Sequence, residues 1–129
     1  MFEVDVPIPA FPKQRPRMTR SGHVYTPPAT EIFEQNLRML VTTKYRTLGH
    51  REPMQGALHL KIVFRVPKPP SIALAKRPYP CVRPDLDNLL KGVLDALNGV
   101  LWEDDGQIVE VEMEKVYGPG SVFMRVRQK

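Results

Sequence analysis

The spacing of apolar residues alternates along the chain between a period of two and a period near 3.6, and this alternation constrains the fold more than any other feature. Residues 2–8 alternate apolar and polar side chains, and residues 57–66 (ALHLKIVFRV) do so more clearly. Residues 107–116 and 121–127 repeat the alternation on either side of the turn sequence GPG. A period of two is typical of a strand with one buried face, so each of these segments is predicted to be a strand.

Two segments between the predicted strands have helical spacing. One begins near Thr30, a candidate N-cap, and ends before Gly49. The other covers residues 88–98 (NLLKGVLDALN), where Gly92 predicts close backbone packing because an interior glycine otherwise weakens a helix. Trp102, just beyond it, is expected to pack in the core.

These elements follow the order β-α-β-α-β-β, with a long Pro-rich basic loop before each helix. A chain of 129 residues suits one domain. We therefore predict a single α+β domain over residues 1–129, with a mixed β-sheet and two main helices.

Charge is distributed unevenly along a basic chain with a net charge of +5. Residues 11–20 (FPKQRPRMTR) and 53–84 carry basic residues and no acidic ones, whereas residues 85–114 carry nine acids and only Lys91 as a base. This pattern favours a polyanion held by the basic loops and metal ions held by the acidic segment. Uneven surface charge without a function is the alternative.

Other sequence features exclude several classes of protein. Cys81 is the only cysteine, so neither an intrachain disulfide nor a cysteine-based zinc site can form. No apolar stretch is long enough to span a membrane, and residues 1–9 lack a signal-peptide pattern. We expect a cytoplasmic protein without a membrane partner. The histidines show no ligand spacing, and His59 is expected to face outward from its strand.

The acidic segment opens with RPDLDNLLK, residues 83–91. Asp85 and Asp87 are expected at the beginning of a helix, and Lys91 lies one helical turn beyond Asp87 on the same face. Asp104 and Asp105 follow the helix, and a short connection could fold the two acidic groups together. Each aspartate alone is common at caps and turns. Together they suit a hard cation such as Mg²⁺ for phosphodiester hydrolysis, with the lysine stabilising the transition state.

The segment RPDLDNLLKGVLDALNGVLWEDDGQIVEVEMEKVYG closely resembles the C-terminal core of the RusA family of Holliday-junction resolvases. PKQRPRMTRSGHVYTP is similar to the basic loop of many family members. The resemblance implies a homodimeric endonuclease of DNA recombination and repair. Such an enzyme binds four-way junction DNA and, with Mg²⁺ or Mn²⁺, nicks two opposed strands symmetrically.

The resemblance also assigns residues. Asp85, Asp87 and Asp105 match the catalytic, metal-binding carboxylates, and Lys91 matches the essential lysine. Asp104 is adjacent to the third carboxylate and is expected to support it as a further ligand.

DNA contacts are expected from the two basic loops. The sequence of the second loop, between residues 68 and 83, matches the family poorly. The candidate DNA-binding residues are Arg15, Arg17, Arg20, Lys76 and Arg77. Two alternatives remain open: a noncatalytic DNA-binding module whose aspartates are structural, and a Mg²⁺-dependent hydrolase of small phosphorylated substrates. The second fits badly because the chain has no Gly-rich phosphate-binding loop.

Overall fold

A computed structural model describes all residues from 1 to 129. Its elements, in chain order, are β1 (Phe2–Val6), β2 (Arg17–Met18), β3 (Val24–Tyr25), α1 (Pro28–Thr47), β4 (Leu58–Val66), α2 (Leu86–Leu97), a 3₁₀ turn (Asp105–Gln107), β5 (Ile108–Tyr117) and β6 (Ser121–Gln128). The predicted α+β class with a mixed sheet and two main helices is confirmed. The short hairpin β2–β3 was not predicted, because two-residue strands show no periodicity.

The main sheet has four strands in the order β1-β6-β4-β5. Strands β4 and β5 are parallel, whereas β6 pairs antiparallel with both β1 and β4. The GPG turn therefore does not form a hairpin between neighbours, since the chain crosses the end of β4 to reach β6. At the start of this crossing, the backbone N–H of Gly118 donates to the carbonyl oxygen of Val66 at the end of β4, at 3.0 Å. Strand β5 is left at one edge of the sheet.

The two faces of the sheet differ in chemistry. One face is apolar and packs against both helices, with fully buried residues such as Leu60, Ile62 and Met124. The other face has no helix and carries charged residues in matched pairs, including Arg125 with Glu3 and Arg65 with Asp5. Side chains alternate between these faces, which is why period-two spacing located the strands.

One expectation about an individual residue was confirmed only in part, and one was wrong. His59 lies on the open face but is only 3% exposed, because neighbouring charged side chains cover it, and its Nε2 lies 3.1 Å from Glu112 Oε1. Thr30 does not cap α1, which begins at Pro28. Instead, the buried Thr30 hydroxyl donates to Gln14 Oε1 at 3.0 Å and so fixes the first basic loop. Trp102 is fully buried, as predicted.

Helix α2 is positioned by contacts at both ends and in its middle. At its C-terminal end, Arg38 donates to the carbonyl oxygens of Ala96 and Asn98 at 3.2 and 2.7 Å. In its middle, Gly92 allows the first basic loop to cross, since a Cβ there would lie 3.1 Å from the carbonyl oxygen of Phe11. The predicted close packing at Gly92 is confirmed. Neither helix is both long and apolar enough to cross a membrane.

Candidate active site

Asp85, Asp87 and Lys91 lie together at the N-terminal end of α2. Asp85 is the N-cap residue, but its carboxylate accepts no capping hydrogen bond. All three side chains are exposed, and none forms a hydrogen bond or an ion pair within the chain. The structural explanation for the aspartates, as caps or surface partners, therefore does not apply here. Both carboxylates are free to bind another group.

The chain fixes the beginning of α2 from two sides. On one side, Lys115 of β5 donates to the carbonyl oxygens of Val82 and Pro84 at 2.6 and 2.8 Å. On the other, the backbone N–H of Lys13 donates to the carbonyl oxygen of Asn88 at 3.1 Å. These bonds connect the second basic loop and the first basic loop to the same helical turn, so both loops meet at the aspartates.

Lys13 also links the first basic loop to both helices. Its Nζ lies 2.6 Å from Glu34 of α1 and 3.3 Å from Asp95 of α2. Partial burial acts to lower the pKa of Lys13, but the hydrogen bonds to both carboxylates outweigh it, and the pKa is raised above its ordinary value of 10.5. Asp95 thus pairs with Lys13, which leaves Lys91 unpaired beside Asp87.

Asp104 and Asp105 have different surroundings. Asp104 forms a capping box for the 3₁₀ turn: its Oδ2 accepts from the backbone N–H of Gly106 at 2.9 Å, while Gln107 Oε1 accepts from the N–H of Asp104. Gln107 also donates to the carbonyl oxygens of Met54 and Gly56, which fixes the turn at the beginning of β5. Asp105 is half-buried, and its carboxylate forms no hydrogen bond within the chain.

One chain does not bring the two acidic groups together. Asp85 lies beside Lys115 near the C-terminal end of β5, whereas Asp105 directly precedes the N-terminal end of that strand. The seven residue steps of β5 from Ile108 to Lys115 extend about 23 Å at about 3.3 Å per residue. Accordingly, no group of three His, Cys, Asp or Glu side chains in the chain could hold a metal ion.

The candidate DNA-binding residues lie in the two basic loops that meet at the N-terminal end of α2. Arg15, Arg17 and Arg20 are exposed on and next to the β2–β3 hairpin. Lys76 is exposed in the second basic loop, whereas Arg77 is half-buried and donates through Nε to the hydroxyl of Tyr117 at 2.7 Å. An open cleft of about 660 Å³ lies between the two loops, and its lining includes Asp85, Asn88 and Arg83.

Comparison with known proteins identifies the family of this chain. The family model described as endodeoxyribonuclease RusA matches residues 7–127. The chain belongs to the RusA endodeoxyribonuclease family. It is also 30% identical over 115 residues to the uncharacterized protein YqaN of Bacillus subtilis (strain 168), which covers 80% of this chain and 78% of YqaN.

RusA membership implies an endodeoxyribonuclease that acts on Holliday junctions. The matched region contains the basic loops, the aspartates and Lys91.

Sequence reasoning missed Lys115 as a residue that positions this candidate site. A signal was present, because Lys115 interrupts the apolar face of β5 after Val111 and Met113. A cation on the buried side of a strand requires partners, and here they are the carbonyl groups that precede α2.

Proposed function

We propose that this protein is a Mg²⁺-dependent endonuclease that resolves Holliday junctions by paired symmetric nicks in opposed strands, in DNA recombination and repair. The observation that carries the proposal is the pair of unengaged carboxylates, Asp85 and Asp87, beside the unpaired Lys91 in a chain of the RusA family. The exposed arginines on both sides suit the phosphate backbone of the four DNA arms.

The donor set fits a hard divalent cation. Asp85, Asp87 and Asp105 would hold Mg²⁺, with Asp104 adjacent, and Mn²⁺ is expected to substitute because it accepts the same oxygen ligands. When bound, the metal would supply Lewis-acid activation of the scissile phosphate and of water. Lys91 stabilises the charge that develops on the phosphate in the transition state. The N-terminal end of α2 adds a partial positive charge at the same place.

A homodimer would complete the site that one chain leaves divided. In a twofold dimer whose β5 strands run antiparallel, the N-terminal end of each β5 lies beside the C-terminal end of the other. Asp105 of one protomer would then approach Asp85 and Asp87 of its partner. Two such sites related by a twofold axis suit paired cuts in a junction of near-twofold symmetry.

An uncovered apolar strip supports contact through β5. On the helix side of the sheet, Val111 and Met113 are each 38% exposed, and Val109, at a bulge, is 60% exposed. Leu90 and Leu94 of α2 are half-buried. Helical spacing places both on the side opposite Gly92, which approaches Phe33 of α1. Asp87 and Lys91 follow next around the helix, so a second copy on this strip would lie against the candidate site.

The chemistry of β5 also favours its face over its edge as the contact. Joining two copies edge to edge into one continuous sheet would place Glu110, Glu112 and Glu114 of both chains opposite one another on the open face. Like charges in such cross-strand pairs are destabilising. Packing of the apolar strips avoids this repulsion.

Cleavage of an end-labelled four-way junction tests the proposal, with linear duplex of the same sequence as the control substrate. Wild type in Mg²⁺ should nick two opposed strands and spare the duplex, and EDTA should abolish cutting. Asp87→Asn should abolish cutting while preserving or tightening junction binding, because a carboxylate facing phosphate is lost. Glu114→Gln, an exposed acid on the open face, is the matched control and should cut normally. Binding without cutting in any divalent metal would favour a noncatalytic DNA-binding module.

A further inference from the structure

A second cavity, of about 270 Å³, adjoins the candidate active site and has no assigned role. It lies at the carboxyl ends of the parallel strands β4 and β5, beneath the second basic loop. Ala10, Arg83 and Pro84 line both this cavity and the cleft that contains Asp85. A DNA strand with a phosphate at Asp85 would therefore pass the mouth of the cavity.

The cavity walls are unusually rich in proline: Pro9, Pro67, Pro69, Pro80 and Pro84. A proline ring is rigid and its nitrogen carries no hydrogen to donate. Such walls offer apolar surface in fixed positions and few backbone donors. They suit the faces of a planar ring better than they suit a phosphate group, which requires several donors.

The polar side chains of the cavity are cations and one phenol, and hydrogen bonds hold several of them in place. Its lining includes Arg77, Lys115 and Tyr117 and no acidic side chain. Lys115 already donates to two carbonyl groups, and Arg77 Nε donates to the Tyr117 hydroxyl. The two terminal amino groups of Arg77 form no hydrogen bond within the chain. A half-buried guanidinium held on one side by Tyr117 thus presents two unused donors.

We propose that this cavity binds one unstacked nucleobase of the DNA strand next to the scissile phosphate, and that Arg77 reads its edge. The proposal rests on the proposed junction endonuclease. Bases at a branch point have lost part of their stacking, which lowers the cost of moving one out of the helix. The proline rings and the Tyr117 ring would cover the faces of the base, as apolar and aromatic surfaces do in single-strand binding sites.

The paired donors of Arg77 define which bases fit. A guanidinium binds two adjacent acceptors, as in the contact of arginine with O6 and N7 of guanine. Unpaired cytosine also presents two adjacent acceptors, O2 and N3. Thymine has a donor, N3–H, between its two carbonyl acceptors, and adenine has its amino group beside the acceptors N1 and N7. The cavity should therefore select guanine or cytosine. This differs from a backbone contact by Arg77, which would carry no sequence information.

Mapping the cuts in a mobile four-way junction, whose branch point samples many sequences, tests the proposal. Wild type should prefer sites with guanine or cytosine beside the cut. Arg77→Lys, which keeps the charge but loses the paired donors, should reduce this preference by about 5-fold to 150-fold. Tyr117→Phe should reduce it less, because only the bond that orients Arg77 is lost. Lys76→Ala, a neighbouring exposed cation, should slow cutting at every site alike.

A binding experiment separates this proposal from the endonuclease proposal. Junctions with an abasic site beside the cutting position should bind Asp87→Asn protein more weakly than intact junctions do, and adding Arg77→Lys should remove most of that difference. A wild type that cuts no junction would refute the endonuclease while leaving this binding test in force. Equal affinity for intact and abasic junctions, or an unchanged cutting preference in Arg77→Lys, would overturn the base-binding cavity.

Discussion

Mixing two inactive variants would decide whether the catalytic site is built from two chains. If Asp105 acts with Asp85 and Asp87 of its partner, a heterodimer of Asp87→Asn and Asp105→Asn chains contains one site with both substitutions and one site with neither. Each variant homodimer has two defective sites and should be inactive. The heterodimer should regain cutting at its single intact site.

In one chain the two acidic groups lie much farther apart than ligands of one metal ion can be. Mg²⁺ binds oxygen at about 2.0–2.1 Å, so carboxylate oxygens on one ion lie only about 3–4 Å apart. Asp105 precedes β5 at Ile108, whereas Asp85 follows the carbonyl group of Pro84 that Lys115 binds, and the seven residue steps from Ile108 to Lys115 extend about 23 Å at about 3.3 Å per residue. Side-chain rotation covers only a few ångströms of this gap. Because one site of two is restored, purified heterodimer should nick at about half the wild-type rate per dimer.

The assay is strand nicking of a labelled junction by heterodimer purified through two different affinity tags. One intact site predicts single nicks, with few junctions cut in both strands. Heterodimer of Asp87→Asn and Asp85→Asn chains is the matched control, since both substitutions fall in the same half of the site and every site remains defective. No activity in the Asp87→Asn and Asp105→Asn heterodimer, together with an active wild-type dimer, would refute a site shared between chains.

Three further predictions follow from contacts that position the site. Gly92→Ala should lower the free energy of unfolding by about 1 kcal/mol, because the added Cβ would press on the Phe11 carbonyl. Asn36→Ala, on the exposed side of α1, is the control. A gain in stability on urea unfolding of Gly92→Ala would contradict the close packing at this position. Lys115→Met should lower the free energy of unfolding by about 1–2 kcal/mol and slow cutting, because two carbonyl groups before α2 lose a charged donor. Unchanged stability and cutting would show that Lys115 has no positioning role. Because the pKa of Lys13 is raised in the folded state, the stability difference between wild type and Lys13→Met should be fully present below pH 10.5 and shrink as pH rises through the higher folded pKa. Urea unfolding at pH 8 and near pH 11 measures this difference. A difference that grows with pH would contradict the stabilising role of charged Lys13.

The sequence was informative wherever a pattern repeated over several residues. Alternation located all four strands of the main sheet, and the stripe around Leu89, Val93 and Leu97 located α2, because burial of one face requires that spacing. It failed for short or singular features. The hairpin β2–β3 has two residues per strand, and His59 is buried by charged neighbours from another strand, which no local pattern records.

The candidate site was also predictable only where its residues are close in the sequence. Local sequence placed Asp85, Asp87 and Lys91 at one helix end, because residues this close in sequence share a turn. The position of Asp105 relative to them depends on β5, which runs parallel to β4 and whose C-terminal end holds the beginning of α2 through Lys115. The same bond that fixes Asp85 therefore keeps Asp105 at the far end of the strand. If all three aspartates act together, as the family resemblance implies, antiparallel packing of the apolar β5 faces of two chains restores their proximity without any change in the fold of one chain.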